Sequence, residues 1–256
     1  MKHLFYIIFA VFVLNSSAQE TTVVTKVDYS TYLNLGLPSE IDSELIFFKS
    51  QSIYSKGKSD ISYPESATIE KIGNNKKASN IYYSDYTNKK GYTKKNIDGK
   101  TYLASEDMQK ITWVIQPKKQ KTIMGFVCEQ AVGNFRGRKY TVWFTSEIPV
   151  PFGPWKLHGL PGLILEAKDN FNQVHFKAIK IEYTHLKDPE KKVEIPIAKY
   201  KDISLKDFLV LEEKSLKDKI ARIMASKPRG SKINNFKYHK PKGLELKYEW
   251  EETKKQ

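Results

Sequence analysis

The cysteine and histidines of this chain are few, and their spacing brings none of them together locally. The only cysteine, Cys128, lies in Gly125-Phe-Val-Cys-Glu-Gln-Ala131. A thiol becomes a nucleophile when a base or an electropositive pocket lowers its pKa. His158 is the candidate base, if the fold brings it close. Nothing local activates the thiol, so a buried structural cysteine is the simpler expectation. Beyond His3, the histidines are His158, His175, His185 and His239. None pairs with another at the i, i+2 or i, i+4 spacing of neighbouring metal ligands. A single cysteine also excludes an intramolecular disulfide framework and any multi-cysteine zinc site. No metal and no cofactor are expected. Gly99-Lys100-Thr101 resembles the end of a phosphate-binding loop, but the glycine required five residues earlier is Lys94. A hairpin turn at Asp98-Gly99 accounts for the same residues. No Gly-x-Ser-x-Gly elbow is present, so an esterase of that type lacks support.

The segment from Phe144 to Ala167 is the most unusual. It holds Pro149, Pro151, Pro154 and Pro161 with Gly153, Gly159 and Gly162. Proline fixes φ and removes a donor, while glycine permits close approach and positive φ, so no regular strand or helix can run through. The stretch carries Phe152, Trp155, Leu157 and Leu160 between two strands. It is either a plug folded over the end of the sheet or a recognition loop for an apolar ligand or a partner. The candidate binding residues are Trp143, Phe152, Trp155, Leu157, Leu160 and Pro161. In Leu160-Pro161-Gly162-Leu163, proline at i+1 and glycine at i+2 predict a type II turn with positive φ at Gly162.

Most of the remaining sequence reads as strand and turn. Runs of β type occupy 21–32, 44–54, 80–86, 101–105, 111–115, 121–132, 139–145, 163–167 and 173–183. In the last, Val174, Phe176 and Ala178 share one parity and Ile179, Ile181 and Tyr183 the other. A bulge near Ala178 would keep both sets facing the core. Ser204 can cap a helix in which Leu205, Phe208, Leu209, Leu216, Ile220 and Ile223 recur at helical spacing. Pro228 would end it. Leu244 to Trp250 alternates like a final strand. The expected fold is mainly β: a single antiparallel curved sheet or half-barrel with one long C-terminal amphipathic helix packed on it.

At the N-terminus, Lys2 and His3 precede the apolar run Leu4 to Leu14, with small residues at 16–18. The run is shorter than the roughly 20 residues a bilayer requires. It reads as a secretory signal peptide over 1–18, followed by one domain over 19–256. The periplasm or an outer-membrane association is the expected address. The formal charge is +14, from 43 Lys+Arg against 29 Asp+Glu. An exported chain rarely meets nucleic acid, and none is expected as a partner. Lys227, Arg229, Lys232, Lys237, Lys240 and Lys242 form the one basic cluster, suited to an anionic surface or left as a solvated loop.

Gly159-Leu-Pro-Gly-Leu-Ile164 spells the hexapeptide for which the GLPGLI family is named. Thr112-Trp113, Gly125-Phe-Val-Cys128, Phe135-Arg-Gly-Arg138, Tyr140-Thr-Val-Trp-Phe-Thr145, Glu147-Ile-Pro149 and Gly153-Pro154 follow the same pattern. On these motifs the chain resembles that family of exported proteins of Bacteroidetes-type bacteria. The resemblance implies export rather than a mechanism. Two functional classes therefore stand open. One is a non-enzymatic envelope module binding an apolar ligand or an outer-membrane partner. The other is an enzyme or redox protein using Cys128 with His158 or a carboxylate.

Overall fold

Alternation makes the first strand: Val27, Tyr29, Thr31 and Leu33 are buried while Asp28, Ser30 and Tyr32 between them are not. The computed structural model describes residues 23–57, 81–226 and 243–254. The leader and the Lys227 to Lys242 cluster lie outside the described residues. Twelve strands follow one another as β1 (Val23–Asn34), β2 (Pro38–Phe48), β3 (Gln51–Lys56), β4 (Ile81–Asp85), β5 (Lys90–Ile97), β6 (Lys100–Asp107), β7 (Trp113–Ile123), β8 (Phe126–Phe135), β9 (Arg138–Thr145), β10 (Leu163–Asp169), β11 (Val174–His185) and β12 (Lys201–Ser204). Among the described residues the α-helices are α1 (Pro189–Val193) and α2 (Leu205–Ala225). These twelve strands of the described residues form one open sheet of order β12-β6-β5-β4-β3-β2-β1-β11-β10-β9-β8-β7. Two meanders are joined where β1 pairs antiparallel with β11. The only parallel pairing described is β12 on β6.

Turn chemistry sets the hairpins. Asp98 and Gly99 take φ of 52° and 80°, the double positive φ of a type I′ turn. Met124-Gly125 and Arg136-Gly137 repeat it with φ of 53° and 88°, and 44° and 84°. The first of these divides the run expected over 121–132 into β7 and β8. Lys49, at φ 51°, likewise divides the run over 44–54 into β2 and β3. Along β1, Asp28 faces Lys180 but Tyr29 faces Ala178, so Ile179 is the bulged residue, next to the position expected. The bulge does not bury both sets, because Ile179 and Tyr183 are half exposed at 50% and 56%.

One face of the sheet carries the main core. Register places Val27, Leu45, Tyr54, Tyr82, Thr93 and Ala104 side by side across β1 to β6. On the other arm, Phe176, Ala167, Val142 and Ala131 continue that face. The segment between β9 and β10 lies against it, and Phe152, Trp155, Leu157 and Leu160 join the same cluster. On the opposite face of the first arm, Ile46, Ile53 and Tyr83 pack with Val193 of α1.

Two expectations change at the C-terminal end. Ser204 does cap α2, accepting from the Asp207 N–H at 3.0 Å, but among the helix side chains described only Leu205, Phe208 and Ser215 are buried. Leu209, Leu216 and Ile220 are half-buried, so the apolar stripe is not sealed against the sheet. Leu244 to Trp250 is not a strand. It leads into a 3₁₀ turn, Glu249–Lys254, and Tyr248 stacks on Trp250 at 4.7 Å. Side chains two apart on a pleated strand stand about 6.5 Å from each other. The Leu246 and Lys247 N–H groups donate to the Arg136 carbonyl at 2.9 and 3.2 Å instead of joining a sheet edge. No helix among the described residues is long and apolar enough to cross a membrane.

Candidate functional site

A cavity of about 760 Å³ lies between the inner face of β3–β5, helix α2 and the chain around 243–251. That volume is within the range of roughly 300–1,000 Å³ common to small-molecule sites. Its floor is built by strand alternation. Tyr54 on β3 and Tyr82 on β4 are 2% and 5% exposed and directly opposed. Thr93, Lys95 and Ile97 point the same way from β5. Helix α2 presents Leu205, Leu209, Glu212, Leu216 and Lys219 to the cavity, a set recurring every three or four residues on one face. This explains the half-burial of the stripe: it faces a space rather than packed side chains.

Trp155 closes the floor from the β9–β10 loop. Its backbone sits at φ 57°, a conformation that is a genuine outlier for a bulky residue and that clusters at functional sites. Its ring meets Phe135 edge-on at 5.6 Å.

Beside Trp155 the cavity wall is a buried ion network. Lys156 pairs with Glu106 and, at 2.8 Å, with Glu245. Arg136 pairs with Glu245, with Glu106 at 2.6 Å and with Glu249 at 3.1 Å. Burial works to raise the Glu245 carboxyl, but Lys156 and Arg136 outweigh it and hold it below the ordinary range. Burial pushes the Tyr54 phenol up to about 12. Burial, reinforced by Glu106 and Glu245, also drives the Tyr82 phenol well above its ordinary range. The acids here are thus held by cations and the phenols kept protonated. What the arrangement offers is an apolar, aromatic space with fixed charge at its wall. A second latch holds this wall: Arg138 pairs with Asp169 in full burial and donates to the carbonyls of Leu244 and Gly243 at 2.9 and 2.8 Å.

The residues singled out from sequence fall in several places. Trp155 lines the cavity. Phe152, Leu157 and Leu160 are 2%, 1% and 3% exposed in the main core, and Pro161 is exposed. Trp143 has the opposite parity to Val142 and Phe144, with the Lys121 ammonium 4.4 Å from its ring centre. Beside it, Glu166 binds Lys121 and, at 2.9 Å, His175. Gly159 takes φ 93°, whereas Gly162 has no positive φ, so the expected type II turn is not formed. Glycine is required there because a Cβ would stand 2.1 Å from the Thr145 carbonyl oxygen.

Cys128 and His158 are not brought together as partners. The thiol is fully buried, faces the Phe126 carbonyl at 3.6 Å and is pushed by burial up to about 11. His158 contacts the Lys156 carbonyl through Nδ1 at 2.8 Å and the Tyr86 ring edge-on at 5.9 Å. Among the described residues, no three His, Cys, Asp or Glu side chains group as metal ligands. Sequence reasoning missed Lys56, Tyr54, Tyr82 and the Arg136–Lys156 network. The one available signal was Phe135-Arg-Gly-Arg138, where two arginines flank a hairpin glycine.

Comparison with known proteins bears on the fold. Two crystal forms of PNGF-II, in space groups C2 and P21, align with TM-scores of 0.55 and 0.54 at 14% identity. In both, the alignment covers 75% of this chain and 33% of PNGF-II, so this chain spans about a third of that protein. No curated protein sequence matches. The GLPGLI assignment, which rested on the 159–164 hexapeptide and its neighbouring motifs, is overturned by the family model that does match. That match runs over residues 49–207, more than half of the chain, and the chain belongs to the family described as N-glycanase peptide, N-terminal domain.

Proposed function

We propose that this protein is an envelope binding module whose cavity between the sheet and α2 holds a ligand with an apolar body. The observation that carries the reading is the cavity of about 760 Å³, floored by Tyr54, Tyr82 and Trp155 and faced by a leucine stripe from α2. A leucine stripe left facing a space gains little hydrophobic stabilisation until something apolar fills that space. The strained backbone of Trp155 adds support, since strain of this kind accompanies ligand-facing positions. The apolar leader over 1–18 supports export. PNGF-II is about three times the aligned length.

The test uses the full chain and N-phenyl-1-naphthylamine, a neutral apolar dye that fluoresces when it leaves water. Saturable one-to-one binding is expected. Leu209→Trp or Leu216→Trp, which fill the cavity from the helix, should abolish it in protein that still melts cooperatively. Absence of saturable binding, or binding indifferent to both cavity-filling variants, would overturn the reading.

A further inference from the structure

The charged groups around the cavity are unequally satisfied. Glu212 pairs with Lys95 at 3.4 Å and Glu213 with Lys217 at 2.7 Å. Glu245 is held by Arg136 and Lys156, and Glu251 accepts the Tyr248 N–H at 3.0 Å. Lys219 pairs with Asp98 at 2.9 Å. Lys56 lines the same cavity, and no acidic partner for it is found among the described residues. It ends β3 on the face of Tyr54, half-buried. Burial and the neighbouring Lys95 both disfavour its charged form, so a counter-ion delivered to it would relieve an existing cost. Thr93 lines the cavity as well, and its hydroxyl, buried beneath that surface, has no hydrogen-bond partner among the described residues. The ammonium of Lys56 is a donor without an acidic partner among the described residues, and the nearby carboxylates are already engaged. Such a site accepts an anion. The leucines opposite suit an aliphatic chain.

Resting on the cavity reading above, we propose that the ligand is a single-chain amphipath with an anionic head, carboxylate or phosphate. Lys56 pairs with the head while the alkyl chain lies between Tyr82 and the Leu205–Leu209–Leu216 stripe.

Displacement of N-phenyl-1-naphthylamine from the full chain by dodecanoate, dodecyl phosphate and dodecanol tests this. A charge-assisted hydrogen bond of about 1.5–3 kcal/mol predicts that the anionic chains compete about tenfold or more better than the alcohol. Lys56→Met should erase that advantage and leave dodecanol unchanged, and Lys56→Arg should keep most of it. Lys56→Gln replaces the methionine variant if the latter does not fold. Inorganic phosphate alone should displace nothing, and its displacement of the dye would remove the chain from the recognition. Equal competition by dodecanol, or an advantage that survives Lys56→Met, would overturn the head-group assignment while leaving the cavity reading standing. Failure of the dye itself to bind defeats both.

Discussion

Gly162→Ala separates two accounts of the same glycine. The sequence suggests a turn glycine needed for positive φ, whereas the structure makes it a contact glycine. An added Cβ would lie 2.1 Å from the Thr145 carbonyl oxygen, 2.6 Å from its carbon and 2.9 Å from the Ser146 nitrogen. All three are backbone atoms, so no rotamer change relieves them. The oxygen contact must open to at least 3.0 Å before it resembles any real Cβ contact. Opening it pulls the start of β10 from β9 where Leu163 pairs with Thr145. It also strains the bond from the Leu163 N–H to the Ile148 carbonyl, 3.0 Å long. Overpacking of this kind costs about 1–3 kcal/mol, occasionally more. For a domain of this size that lowers the melting temperature by about 2–12 °C. Gly159 is the control, because it has φ 93° and ample room for a methyl group, whose nearest neighbour would be the Tyr86 hydroxyl at 3.7 Å. Asparagine tolerates left-handed backbone better than alanine does. Gly159→Asn should therefore recover stability relative to Gly159→Ala, while Gly162→Asn should be worse than Gly162→Ala. Thermal unfolding followed by circular dichroism reads all four. A Gly162→Ala protein that melts with the wild type, or a Gly162→Asn that rescues it, would refute the contact argument.

Four further outcomes are expected. Leu160→Ala should cost about 2–5 kcal/mol in urea unfolding, since the side chain is 3% exposed in the main core. Phe208→Ala, at a fully buried position, should cost about 3–5 kcal/mol, and Ile220→Ala, half-buried further along the helix, distinctly less. Equal losses would mean that α2 is sealed along its length. Cys128 should resist a thiol reagent at pH 8 in native protein and react on unfolding, because burial raises its pKa to about 11. His175 and Lys121 hold the Glu166 carboxyl down at about 2. Its contribution to stability is then complete above the unfolded carboxylate pKa of about 4.3 and fades as pH falls towards 2. The melting difference between wild type and Glu166→Gln should shrink over that interval, and a difference constant from pH 6 to 2 would contradict the pairing.

Strands were legible in the sequence where alternation and turn chemistry agree, and obscured where pairing overrides a residue's own preference. Asp98-Gly99 announces its hairpin because both residue types enter left-handed backbone readily. Met124 and Lys49 do not, yet they hold φ of 53° and 51°, and the runs they interrupt read as continuous. The ladder on either side decides there, at a local cost that the pairing outweighs. The bulge in β11 could be located from a switch in parity, but parity says nothing about cover, and Ile179 and Tyr183 emerge half exposed.

The same limit explains why the cavity could not be foreseen. Periodicity shows which side of α2 turns inward, not what it meets. Here the helix is fastened by Leu205 and Phe208 at its first turns. The chain around 243–251 is fastened separately by Arg136 and Arg138. Both anchors lie at the periphery of the β3–β5 face, and neither is a local sequence feature. Arg136 reaches Glu245 across more than a hundred residues, and alternation in Leu244 to Trp250 suits a strand as well as it suits this wall. The space enclosed by the two anchors is thus a product of long-range contacts, apolar at the helix and polar at the 243–251 chain. Loosening the Arg136 network should open the cavity before it unfolds the sheet, because the β3–β5 ladders do not depend on it.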